Sequence, residues 1–249
     1  MLCAIIKSTG KIALPDSDAK KSGTLLCPEC ESEVLLRIGT VRVNHFFHKS
    51  DVTCTNGRGE TEAHRKCKLE IFEALKREPN VTKVALERSL GSCRPDVSAY
   101  INGVPVAIEV QISTLSLETI IRRTEEYSRK GIYVLWLLQW TPYLDGVRYK
   151  PRLWEKWIHA ACFGRAYYWI EGLKVVSYRF ERTGVEPGHF TRGLKRIRCP
   201  VRGTTLNLAR DFIAQAREPW LGNGLSVPAA KLYISRWNRC KGKPGRDDF

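Results

Sequence analysis

Residues 95–111 read Pro-Asp-Val-Ser-Ala-Tyr-Ile-Asn-Gly-Val-Pro-Val-Ala-Ile-Glu-Val-Gln, two alternating apolar runs joined by Asn102-Gly103. Few short signals constrain a chain more. Asn-Gly supplies the two positive-φ residues of a type I′ turn, whose twist matches that of the strands on either side. With that pair as the whole loop, Ile101 faces Val104 and, counting outward, Asp96 faces Glu109 and Arg94 faces Gln111. One face of the hairpin carries Val97, Ala99, Ile101, Val104, Val106, Ile108 and Val110, so it belongs to the core. The other face sets Asp96 beside Glu109, with Cβ atoms about 4.5–5.5 Å apart. Two carboxylates this close repel unless a cation lies between them, and a divalent metal meets that need. Exposed positions on a half-buried sheet would be the plainer account of the pair.

The flanking sequence extends the hairpin into a domain. Over Glu60–Arg77 the apolar residues Ala63, Cys67, Ile71 and Leu75 recur every four positions, with Leu69 and Phe72 beside them, which predicts an amphipathic helix ended by Pro79. Val81–Leu86 reads as a further strand. After the hairpin, Leu117, Ile120, Ile121, Thr124 and Tyr127 share a helical face that stops at Gly131, and the apolar run Ile132–Leu138 predicts a buried strand. The predicted order is helix, three strands, helix, strand. At 249 residues the chain can bury a core of ordinary size without disulfides. Its expected divisions are 1–59, rich in Cys and His; 60–140, the core; 141–190, an aromatic extension of it; and 191–249, a basic region.

Arg94-Pro95-Asp96 and Ile108-Glu109-Val110-Gln111, split by a hairpin and followed by Ser113 and a helix bearing Arg123 and Tyr127, resemble the signature of the competence protein CoiA family of PD-(D/E)XK nucleases. The resemblance runs from about Cys27 to Leu138, with a weaker echo over Trp154–Trp169. It implies an α/β fold, a restriction-endonuclease-like mixed sheet flanked by helices with core order αβββαβ. It also implies that Asp96 and Glu109 hold a catalytic Mg²⁺ or Mn²⁺. The family's Glu-x-x-x-His pattern is met by Glu60 and His64, so Glu60 would complete the metal site, with Glu62 the alternative acid if the helix begins later. His64 would position the scissile phosphate or move a proton; a surface histidine near a helix start is the other reading. Gln111 stands where the superfamily motif has lysine, as it does in the family resembled. An amide orients water but supplies no charge, which leaves Lys68 or Arg123 to provide the cation and makes an inactive homologue a serious alternative.

Cys27-Pro28-Glu29-Cys30, His45, His48 and Cys54 offer five ligands for a four-ligand structural Zn²⁺ site. The expected set is Cys27, Cys30, His48 and Cys54, with His45 in reserve. Since Val41, Val43 and His45 share a strand face, a buried, hydrogen-bonded His45 is the other outcome. The resembled family has a similar arrangement, matched here by Cys27, Cys30, His45 and His48. A redox CxxC is disfavoured because no thioredoxin-like βαβ pattern surrounds it. Cys3, Cys67, Cys93, Cys162, Cys199 and Cys240 stand alone and read as ordinary thiols.

A net charge of +15 fits a polyanionic partner, nucleic acid before membrane. Thr191–Phe249 holds 13 Lys or Arg against 4 Asp or Glu, 9 of those 15 charges. Lys195, Arg196, Arg198 and Arg202 form the densest cluster, while Trp220, Tyr233, Arg236 and Trp237 offer planes on which unpaired bases can stack. Lys68 and Arg123 join the expected nucleic-acid contacts. Trp154, Trp157 and Trp169 read as core. Neither a signal peptide nor a membrane-spanning apolar stretch is legible, so a cytoplasmic location is expected. The whole predicts a metal-dependent nuclease acting on DNA, single-stranded or branched forms included, in DNA uptake, recombination or defence. A recombinase, helicase or defence-complex protein is the expected protein partner. The alternatives are an inactive nucleic-acid-binding adaptor of the same fold and a protein-interaction subunit for which DNA is secondary.

Overall fold

A computed structural model describes residues 1–146, 149–182, 198–217 and 232–237, with side chains described through residue 180 and over 200–212. Five short strands open the chain: β1 (Ala4–Ile6), β2 (Ile12–Ala13), β3 (Leu25–Leu26), β4 (Glu33–Arg37) and β5 (His45–His48). They form an antiparallel sheet in the order β2-β1-β3-β4-β5 over a small core that includes Leu25, Cys27, Val34 and Phe46. Next come α1 (Glu62–Leu75), β6 (Val81–Leu86), β7 (Val97–Ile101), β8 (Val104–Gln111), α2 (Leu117–Arg129) and β9 (Tyr133–Gln139). After these follow α3 (Leu153–Ala161), β10 (Ala166–Glu171), β11 (Lys174–Arg182), β12 (Arg198–Asn207), β13 (Phe212–Arg217) and β14 (Leu232–Trp237).

The second sheet runs β12-β11-β10-β9-β8-β7-β6, with β14 bridging β9 to β13. It is mixed: β9 lies parallel to β8 and to β10, and the other pairs along that path are antiparallel. A strand with parallel neighbours on both sides is buried on both faces, which is why Val134–Leu138 is a continuous apolar run, buried throughout. The sheet does not end near residue 140, because β10, β11 and β12 continue it across the expected divisions of the chain.

Local chemistry sets the element ends. Ile101 pairs with Val104 and Val97 with Ile108, the register that a two-residue Asn-Gly turn dictates, and Asn102 and Gly103 take φ of 51° and 77°. Thr61 caps α1 by accepting from the His64 amide, so the helix begins at Glu62 and Glu60 lies just outside it. Ser116 caps α2 in the same way through the Thr119 amide, and Gly131, at φ 71°, ends it.

The two helices cover opposite faces of the sheet. Val110 lines a cleft with Ala63 and Cys67 of α1, whereas its neighbour Glu109, pointing the other way, meets Arg123 and Tyr127 of α2. Glu109 is therefore roofed: it is 1% exposed, which removes the reading of it as a solvent-facing strand residue. Trp154 and Trp157 are core, as expected, and Trp169 is half-buried. Of the basic cluster, Arg202 projects from β12 and pairs with Asp145 at 3.2 Å. Arg198 and Arg236, with Tyr233 and Trp237, are placed by backbone alone, while Lys195, Arg196 and Trp220 lie outside the described residues. Among the described residues no helix is long and apolar enough to cross a membrane.

Candidate active site and metal centre

Asp96 sits one residue before β7, where the hairpin register brings it beside β8. Its Oδ2 accepts the Val110 N–H at 2.8 Å and lies 3.2 Å from His64 Nε2, while Oδ1 is 3.5 Å from Lys68 Nζ. Burial pushes this carboxyl up, but Lys68, His64 and the Val110 amide together hold it down at about 2. Opposite, Glu109 accepts from Tyr127 Oη at 2.5 Å and from the Arg123 guanidinium. Here burial wins, raising the Glu109 carboxyl to about 8 against the pull of Arg123, with the Asp96 charge adding to the rise. Two neighbouring acids are thus driven in opposite directions by their surroundings.

Glu60 reaches the same place from the segment ahead of α1. Its Oε1 pairs with Lys68 and lies 3.9 Å from His64 Nδ1, and its Oε2 is 3.3 Å from the α-amino group of Met1. Both oxygens are buried and ion-paired without a well-formed hydrogen bond. Glu62, the alternative acid, instead accepts the Val43 N–H and pairs with Arg65. His64, with its side chain 23% exposed, bridges Glu60 and Asp96, so it is not a bystander on the helix surface. Gln111 is buried and its amide donates to the Ser113 carbonyl.

Lys68, expected among the nucleic-acid contacts, lies inside at 3% exposure, its ammonium against Glu60, Asp96 and Glu87. Burial alone would lower its proton affinity; Asp96, Glu87 and Glu60 raise it above the ordinary lysine value, so it stays charged. Glu87 is the member that sequence reasoning missed. It is buried, at φ 44°, and its carboxylate accepts from Lys68 Nζ at 2.6 Å and from the Leu2 N–H at 2.8 Å. The available signal was Lys68 itself: it falls on the stripe of Cys67, Ile71, Phe72 and Leu75, and a lysine on a buried helix face requires carboxylates around it. The cations expected between the paired acids are therefore present as side chains, Lys68 on Asp96 and Arg123 on Glu109.

Among the described residues, Cys27, Cys30, His48 and Cys54 are the group of metal-ligating side chains that converges, their donor atoms all within 4.8 Å of one another. Cys27 Sγ and Cys54 Sγ are 4.0 Å apart, against the roughly 3.8 Å edge of a tetrahedron with about 2.3 Å zinc–sulfur bonds. Cys30 Sγ lies 3.4 Å from His48 Nε2. The amides of Glu29 and Asn56 aim at the sulfurs of Cys27 and Cys54, and hydrogen bonding by Ser32, with His48 beside it, lowers the Cys30 thiol to about 6. The group could hold a metal such as zinc. His45 lies three positions from His48 on one strand, hence on the other face, where its Nδ1 meets the Val43 carbonyl at 2.9 Å. Arg94 joins the two sites. Its guanidinium holds Glu29 and the Pro28 carbonyl of the Cys turn, and its own carbonyl accepts from Arg123.

Comparison with known proteins matches this arrangement in both halves. Residues 15–57 match the family described as competence protein CoiA, N-terminal domain, and residues 60–149 match competence protein CoiA, nuclease-like domain. The Competence protein CoiA of Bacillus subtilis (strain 168) is 28% identical over 121 residues, 47% of this chain and 32% of that protein. The chain therefore spans about a third of the length of that relative. With the Cys/His segment and the paired strand acids each falling within its matched domain, in the matched order, the chain belongs to the CoiA-like family.

Proposed function

We propose that this chain is a metal-dependent nuclease of the PD-(D/E)XK type, hydrolysing DNA phosphodiester bonds in the cytoplasm during uptake, recombination or defence against foreign DNA. The observation that carries this reading is the pair Asp96 and Glu109, neighbours across a hairpin, the first held by Lys68, His64 and the Val110 amide and the second buried under Tyr127 and Arg123, so that one carboxyl is driven down and the other up. Structural burial of two adjacent acids is costly, and oppositely perturbed neighbours are what acid–base and metal chemistry requires. The helix, three-strand, helix, strand order of α1 to β9, with helices on both faces, agrees with such a core.

Asp96 and Glu109 would hold Mg²⁺ or Mn²⁺, hard ions that take carboxylate oxygens, and Glu60, whose two buried oxygens are ion-paired with Lys68 and the Met1 amino group, would complete the set. An ion held by these residues would supply Lewis acidity toward a phosphoryl oxygen and lower the pKa of a water. Lys68 keeps Asp96 ionised and fixes it relative to Glu60. His64, between the same two acids, stands where a proton can be taken up or passed on. Arg123, with a quarter of its side chain exposed, carries the charge that Gln111 lacks for a phosphate in transit. Zn²⁺ at Cys27, Cys30, His48 and Cys54 would brace the turn that Arg94 grips, and the basic surface would bind the strand.

The adaptor reading has its own support: Arg123 already occupies Glu109, and the Gln111 amide is turned to Ser113. Cleavage of labelled single-stranded, duplex and branched DNA with Mg²⁺, Mn²⁺ or chelator, in wild type and in Asp96→Ala/Glu109→Ala, separates the two. Metal-dependent cutting lost in the double variant is the expected result. Tight binding with no cutting by wild type on any substrate would give the function to an adaptor that recruits a recombination or defence partner.

A further inference from the structure

A cleft of about 310 Å³ lies on the other side of α1 from Asp96, between the amino-terminal half of that helix and the carboxyl ends of the parallel strands β8, β9 and β10. In open α/β sheets this end of the strands is where ligands bind. The cleft and the candidate site share elements. Val110 gives its N–H to Asp96 and its side chain to the cleft, and α1 turns His64 and Lys68 to Asp96 while Ala63 and Cys67 line the cleft.

We propose that this cleft receives one unpaired nucleobase of the substrate, with the Trp169 ring as its platform, so that the protein acts on DNA where the strand is single. The proposal rests on the nuclease reading and names its substrate. Apolar side chains of Ile112 and Leu138 form the walls, and Trp169 is held in place because its Nε1 donates to the Gly172 carbonyl at 3.0 Å. The charged groups at the cleft are Glu70, which accepts the Gly172 N–H at 3.2 Å and lies 3.8 Å from Lys66 Nζ, Lys66 itself, and Glu171, paired with Lys174 at 2.6 Å; each cation here already faces a carboxylate, which favours a base over a phosphate. The carboxylates can also accept from the amino groups of adenine, cytosine and guanine. Within a stacked duplex no base can present its face to an indole, whereas an unpaired base can.

The test uses the full-length protein and duplexes with a single-stranded overhang, whose junction fixes the register. An abasic site, and separately 2-aminopurine, is walked along the overhang; binding is read by anisotropy in chelator and cutting with Mg²⁺ or Mn²⁺. At one position the abasic site is expected to weaken wild-type binding about 5- to 150-fold, the worth of one base–aromatic stack, and 2-aminopurine there is quenched. Trp169→Ala removes the position dependence, and Trp169→Phe retains most of it. Abasic sites without effect at every position in wild type, or an effect unchanged in Trp169→Ala, would overturn the base site while cutting persists. A position-specific effect without cutting under any metal would instead remove the nuclease reading and leave the base site standing.

Discussion

Replacing Lys68 with methionine keeps the length of the side chain and removes its charge from among three carboxylates. Lys68 is 3% exposed, with Glu87 Oε1 at 2.6 Å, Asp96 Oδ1 at 3.5 Å and Glu60 also in contact. Removing one member of a buried ion cluster leaves the others uncompensated, at a cost of about 3–5 kcal/mol. The acids give an independent measure: holding Asp96 at about 2 rather than 3.8 corresponds to about 2 kcal/mol, of which Lys68 is the largest stabilising source. Because the folded value lies below the ordinary one, this stability is present above about pH 4 and is lost as pH falls toward 2. In Lys68→Met the acids rise toward and above their ordinary values, so the deficit is largest at pH 7 and shrinks as they protonate. Urea unfolding followed by circular dichroism at pH 7 and pH 4 measures both. A deficit under about 1 kcal/mol at pH 7, or deficits equal at the two pH values, would refute the account of Lys68 as the charge that holds these acids together.

Cleavage should rise with pH by up to tenfold per unit and level off near 8, since Glu109 must lose its proton to take a metal; a flat profile between pH 6 and 9 counts against Glu109 as a ligand. Cys30→Ser should abolish stoichiometric zinc and lower the melting temperature, read by metal analysis and calorimetry; unchanged zinc content would remove Cys30 from the site. Arg94→Ala should leave zinc bound but weaken Mn²⁺ binding several-fold, because Arg94 ties the Cys turn to the strand that carries Asp96; equal Mn²⁺ titrations would show the sites to be independent. Gly103→Val should cost about 1 kcal/mol or more through its φ of 77° alone, as open space surrounds the position; an unchanged unfolding midpoint would contradict the turn assignment.

Some of this protein was written locally, and those parts were legible. An Asn-Gly turn admits one register, so the pairing of Val97 with Ile108, and hence the adjacency of Asp96 and Glu109, follows from counting. The helices over Glu62–Leu75 and Leu117–Arg129 follow from period and caps, and Cys27, Cys30, His48 and Cys54 are the preferred set around the CxxC turn, with His45 in reserve until the structure turns it away. Other features depend on residues far apart in the chain. That Glu87 braces Lys68, that Arg123 and Tyr127 close over Glu109, and that Arg94 grips the Cys turn are contacts between separate elements, invisible to any local period. Periodicity shows which residues share a face but not what lies against it, so Glu109 reads as open when α2 in fact covers it, while Asp96, just ahead of β7, turns to His64 and Lys68 of α1. Sequence alone therefore determined which chemical groups stand side by side within one hairpin, helix face or tight turn, because strand and helix geometry repeat over a few residues. Their charge state and burial were decided by the tertiary structure, because both depend on the solvent and the opposite charges that distant segments exclude or supply.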